Sequence, residues 1–204
     1  MSYVQVDKAS LSNVRLLLKG VQSEAPKILS RALNKTVAKG RTDVSSAVRK
    51  EVNLSASYVR SRLKISKANY KNLQARVSTP SRGILLSRFS TQANIRSENI
   101  SWIKAPPTPP RGIKVKVSSG VGAKTFGGDS KTVGRPFYIA LSNGRLGIAA
   151  RRKTAGPKGG AVKVFHGPSL SQVFNNIIKD VSGPLAEYQE EQVSKQIDAV
   201  LRGF

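Results

Sequence analysis

Between Pro26 and Val52, apolar or small side chains return every third or fourth residue: Ile28, Leu29, Ala32, Leu33, Thr36, Val37, Val44, Ala47, Val48 and Val52. That spacing lays one stripe along a helix, and Ser23, Glu24 and Pro26 ahead of it supply a start signal with proline in the first turn. The opposite face carries Lys27, Arg31, Lys35, Lys39, Arg41, Arg49 and Lys50, so the pattern predicts one long amphipathic helix, with Gly40 as the place for a bend. Upstream, Tyr3, Val4 and Val6 read as a short strand, and Asp7 caps a helix running to about Lys19 before Gly20, with Val14, Leu17 and Leu18 on its apolar side. Downstream, Asn53, Leu54 and Ser55 interrupt the pattern, and Tyr58, Val59 and Leu63 mark a short third helix.

The period then changes from helical to alternating. Leu73, Ala75 and Val77 read as a strand that Pro80 and Gly83 end, ahead of an apolar knot at Ile84, Leu85, Leu86 and Phe89. From Thr91 to Arg111 the chain is polar and proline-rich, which predicts an extended, semi-rigid connector. Ile113, Val115 and Val117 alternate strictly with polar or small residues and give the clearest strand signal. Gly120 to Gly134, with five glycines, reads as a mobile loop. Phe137, Ile139 and Leu141 lead to Asn143-Gly144, and Leu146, Ile148 and Ala150 resume after it, the pattern of a hairpin. Arg151 to Gly160 is a second basic loop, Val162, Val164 and Phe165 form a last strand, and Gly167 and Pro168 turn the chain. Ser169 then caps a closing helical region that Gly183-Pro184 should split in two.

The order of helices, sheet and helices predicts an α+β fold. We read residues 1–204 as one domain, with a helical part at 1–66, a partly extended connector at 67–111, a small mostly antiparallel sheet with basic glycine-bearing loops at 112–168, and C-terminal helices at 169–204. Apolar content of 39% is modest for this length, so part of the surface should complete its burial against a partner.

Charge sharpens that expectation. The formal net charge is +24, and 32 of the 35 Lys and Arg precede His166 against 6 of the 11 Asp and Glu. A field of this sign attracts nucleic acid, anionic membranes or acidic protein surfaces. The first residues lack a signal-peptide pattern and no apolar run approaches the roughly 18 residues of a membrane span, so a membrane partner is not expected. The absence of Cys removes disulfides, thiolate metal sites and cysteine nucleophiles and suits a chain made in a reducing cytoplasm.

Catalytic patterns are incomplete. A phosphate-cradling loop around Gly120 to Thr125 would need glycine where Ser118 and Ala123 stand. Ser169 lies between Gly167 and Ser171, so a nucleophile elbow lacks its last glycine. His166 is the lone histidine and is assigned a structural hydrogen-bonding role; no metal ligand set and no cofactor motif accompany it. Glu187, Glu190 and Glu191 are helical neighbours that read as a solvated or docking face. The chain is therefore read as no enzyme. The candidates for contact with DNA or a protein partner are Arg151, Arg152, Lys153 and Lys158 in their loop, Lys35, Lys39 and Lys50 on the long helix, and Trp102 in its proline-flanked stretch.

Several segments in fixed order resemble one family. Ala32-Leu33-Asn34-Lys35-Thr36, Arg41-Thr42, Val48 to Leu54 and Val59-Arg60-Ser61-Arg62-Leu63 are similar to the N-terminal half of the lambda-type minor tail protein Z family of long-tailed phages. Leu86-Ser87-Arg88-Phe89, Gly112 to Val117, Pro136-Phe137 to Gly144, Arg151 and His166-Gly167-Pro168-Ser169 resemble its second half. The resemblance implies a virion structural protein at the head-proximal end of the tail, acting in tail completion and head–tail joining beside other tail and neck proteins. By analogy it implies a hexameric ring around the DNA channel with non-specific contact to genomic DNA. The alternative from charge alone is a nucleic-acid-binding protein of ribosomal or nucleoid type, without sequence specificity.

Overall fold

The computed structural model describes residues 3–6, 24–96, 101–126, 133–153 and 162–202. The helix expected from Asp7 to Lys19 lies outside the described residues. The chain forms two compact units. One comprises Met1–Val48, Ala56–Ser81 and Leu170–Phe204, the other Arg49–Ser55 and Arg82–Ser169. The fold is α+β, with a long N-terminal helix, a long C-terminal helix and small antiparallel sheets.

In the first unit the predicted long helix, α1, runs through Ala25–Glu51, its last residues passing into the second unit. Ile28, Leu29, Ala32, Leu33, Thr36, Val37, Val44 and Val48 are all buried, as the stripe requires. The helix continues through Gly40, which serves packing: a Cβ there would stand 3.0 Å from Leu185 Cδ2. Leu185 belongs to the closing helix, α4, at Leu170–Leu201. Ile28, Leu29 and Ala32 of α1 form one core cluster with Val193 and Ile197 of α4. The expected break at Gly183-Pro184 is absent, because α4 passes through Pro184 without interruption. An interior proline costs about 3 kcal/mol or more. Burial of the apolar side chains Val181, Leu185, Val193 and Ile197, on both sides of it along one face, outweighs that cost.

The short helix α2 occupies Ala56–Arg62, with Tyr58 and Val59 buried, and the Arg41 guanidinium donates to the Arg60 carbonyl near its end (2.8 Å). A three-stranded antiparallel sheet follows, with β3 (Ala75–Ser78) between β1 (Tyr3–Val6) and β2 (Lys64–Ser66). The strand at Lys64–Ser66 is too short to stand out in the sequence; it is held by pairing Ile65 with Val77. Asn34 ties α1 to the stretch between β2 and β3: its amide donates to the Ala68 carbonyl (2.9 Å) and accepts from the Ala68 N–H (2.8 Å).

In the second unit the hairpin predicted across Asn143-Gly144 joins β7 (Val133–Ala140) to β8 (Leu146–Arg152), with β9 (Val162–Val164) on the other side of β8. Gly144 adopts φ +73°, a conformation that glycine tolerates and L side chains rarely do, and Leu141 N–H donates to the Arg145 carbonyl (2.8 Å) to close the turn. The strand at Ile113–Val115, β5, pairs with β6, Lys124–Phe126, which lies inside the stretch predicted to be loop. His166–Ser169 is likewise a strand, β10, paired with β4 at Gly83–Leu85, where a turn was expected. Gly167 permits this: Phe89, fully buried in the 3₁₀ turn Leu86–Phe89, comes so near that a Cβ on residue 167 would stand 2.6 Å from its Cε2. The connector region also holds a one-turn helix, α3, at Ala93–Arg96, with Ile95 buried. Among the described residues, no helix is long and apolar enough to cross a membrane.

Candidate interaction surfaces

The exposed face of α1 separates into satisfied and unsatisfied charges. Lys27 pairs with Glu24 at 3.0 Å, and Lys39 pairs with Asp43 at 3.0 Å while its ammonium lies 5.7 Å from the centre of the Tyr188 ring. Arg31 and Lys35 in the first unit, and Arg49 and Lys50 in the second, are exposed, and among the described residues none has an acidic partner. Of the three predicted lysines, Lys39 is thus engaged within the chain, whereas Lys35 and Lys50 present their ammonium groups to solvent. Surface ion pairs of the Lys39 kind contribute about 0–1 kcal/mol, so Lys39 stays available to an external anion at little cost.

Arg151 and Arg152 end β8, both exposed, opposite Val162 and Val133 respectively. Successive strand residues point to opposite faces, so the two guanidinium groups diverge. Arg152 shares its face with Lys163, which pairs across from Ala150. Lys153 follows, exposed, and Lys158 lies outside the described residues. Trp102 is half-buried; its backbone N–H donates to the Gly144 carbonyl (2.6 Å), which fixes it beside the hairpin turn. The apolar side chain beside it that faces solvent is Ile103, 99% exposed.

The sequence reading missed an apolar cleft of about 580 Å³ in the second unit. Its floor is one face of the β5–β6 ribbon, where Val115, Val117 and Phe126 point the same way because Val115 pairs with Lys124 and Ile113 with Phe126. Leu86, Phe165 and Pro168 form the facing wall. Phe126 and Phe165 meet edge to face, with centroids 4.8 Å apart and an interplanar angle of 77°, yet both remain only partly buried. Val121, 52% exposed, and Lys124 and His166, both exposed, stand at the mouth. His166 makes no side-chain hydrogen bond among the described residues, so the structural role assigned to it is replaced by a position on this rim. Two phenylalanines 39 residues apart carry no local signal; the pairing of β5 with β6 places Phe126, and backbone hydrogen bonds with Leu86 and Ile148 place Phe165.

Among the described residues no group of three or more His, Asp or Glu side chains could hold a metal ion. What the surfaces offer is cationic groups for anions and an apolar recess for a side chain. A family model described as prophage minor tail protein Z matches residues 12–204. No curated protein and no solved structure matches the chain.

Proposed function

The chain belongs to the prophage minor tail protein Z family, a family of structural phage tail proteins, and on that premise we propose that it completes the tail at its head-proximal end and joins it to the head. The observation that carries this reading is the extent of the match, which takes in residues 12–204 and therefore both compact units. In this role the protein acts by contact and not by catalysis, as a ring of subunits around the DNA channel, with six copies as the number suggested by analogy. Exposed cations without acidic partners among the described residues support the reading, since Arg31, Lys35, Arg49 and Lys50 present charge to acidic neighbours or passing DNA.

Deleting the gene from its phage or prophage and viewing the lysate by negative-stain electron microscopy tests it. Filled heads beside unattached or malformed tails are the expected result; intact, infectious particles overturn the reading. The same unpaired cations favour one second reading, a nucleic-acid binder without sequence specificity. That reading requires affinity for DNA or RNA that falls linearly in log–log form with salt, with a slope near −0.9 for each duplex phosphate neutralised.

A further inference from the structure

The apolar cleft of the second unit has the attributes of an unfilled interface. Its two phenylalanines are already paired with each other and still partly exposed, and Val121 leaves half its surface in water at the lip. At about 580 Å³ it falls in the ~300–1,000 Å³ range of cavities that enclose compact groups. The charge around it selects the occupant. The second unit holds 18 Lys and Arg against 3 Asp and Glu, a net of +15. Lys124 stands at the cleft mouth, Lys163 holds its ammonium 5.7 Å from the Phe165 ring, and among the described residues no carboxylate lines the recess.

A second copy of this chain is a poor match. Among the described residues, its exposed large apolar side chains are Tyr70, Ile103, Val121 and Leu201, and the first, second and fourth each precede a cation directly: Lys71, Lys104 and Arg202. Val121 is part of the cleft itself. Docking any of the other three would bring like charges together at the rim, an arrangement that selects against a partner. We infer that the cleft seats an apolar side chain presented between carboxylates by a different, acidic subunit of the tail or neck. The apolar group would complete the burial of Phe126 and Phe165, and the carboxylates would meet Lys124 and Lys163 at the rim. This inference rests on the proposed place in the tail and names the kind of neighbour that the place requires.

Val121 supplies the test, because its exposed side chain can be changed without disturbing the core. Phage carrying Val121→Asp, Val121→Lys or a photo-reactive benzoylphenylalanine at this position are compared with the gene deletion. The expected result is that the purified Asp variant melts like the parent while its particle titre falls about tenfold or more, and that the Lys variant loses less. Irradiated virions should yield a cross-link from position 121 to a peptide of a different tail subunit with Asp or Glu beside the attachment point. A full titre for the Asp variant, or a cross-link to DNA or to a second copy of this chain, overturns the inference. If the deletion is defective while the Asp variant assembles normally, the cleft inference alone falls; if the deletion itself leaves full titre, the tail reading falls and takes the inference with it.

Discussion

Gln189 offers a direct test of the packing between the two long helices of the first unit. It is 1% exposed on α4, one turn from Leu185, which meets Gly40, and one turn from Val193, which joins the Ile28 cluster. Residues four apart share a helix face, so the Gln189 amide is directed into the same packed seam. Neither its nitrogen nor its oxygen has a hydrogen-bond partner among the described residues. A buried unsatisfied polar group costs about 1–3 kcal/mol, and a substitution that removes the polar atoms while keeping the shape recovers that amount. Gln189→Met keeps the unbranched length and should raise stability by about 1–3 kcal/mol. For a chain of this size that is about 2–4 °C in Tm per kcal/mol, read by circular dichroism, with an unchanged denaturant slope showing that the exposed area is the same. Gln189→Glu keeps the shape but buries an unpaired carboxylate and should destabilise by several kcal/mol, roughly in line with the penalty for an uncompensated buried charge. A Gln189→Met protein less stable than the parent would refute the reasoning, because it would mean that the amide is satisfied in solution, for instance by a buried water.

Gly167→Ala should cost about 1–3 kcal/mol, because the new methyl meets the rigid, fully buried Phe89 ring at 2.6 Å; a neutral result in chemical denaturation would show that β10 shifts freely. Burial raises the Tyr138 hydroxyl above its usual pKa, with the Ser90 hydrogen bond acting the other way. A folded value above the unfolded one of about 10 means that the contribution is whole below pH ~10 and is lost as pH rises through the folded value, so Tyr138→Phe should flatten the alkaline limb of a stability–pH profile. Reversing Lys35, Lys39 and Lys50 to Glu should disrupt particle assembly more than DNA retention, measured as the ratio of assembled particles to packaged genomes; the opposite ratio would assign these side chains to DNA.

What could be read from the sequence follows the range of the interactions concerned. The α1 stripe and the Asn143-Gly144 hairpin are local periodicities, and burial of Ile28 through Val48 and the positive φ of Gly144 follow from them. Strand β10 is invisible at that range. His166-Gly167-Pro168 has no alternation, and its pairing with β4 is irregular, with only His166–Leu85 and Ser169–Gly83 in register. Pro184 misleads for the opposite reason: a strong local signal is overruled by tertiary contacts of Leu185, Val193 and Ile197 that no local window contains. Trp102 drew notice for its proline-flanked stretch, yet its backbone is anchored at the hairpin turn and the more exposed apolar group is its neighbour Ile103. The candidate cations are legible as exposed charges, but which are already engaged, as Lys39 is with Asp43, depends on helical position and on the fold together.

The amount of charge bears on what those cations face. A ring of six would carry about +144 from a net of +24 per chain. Duplex DNA presents one charge per ~1.7 Å of axis, so a channel roughly 60 Å tall would enclose only about 35 phosphates. The excess cannot be neutralised by the genome within the ring. A lumen densely lined with cations would also hold DNA against the sliding that ejection requires, since each contact releases counterions and strengthens attachment. Acidic protein neighbours carry no such penalty: their contacts are permanent, and complementary charge speeds and orients their docking. The second unit, with its net of +15 and its unfilled apolar cleft, combines the charge and the recess that such a contact needs. Affinity would then come from the buried side chain and register from the charges around it.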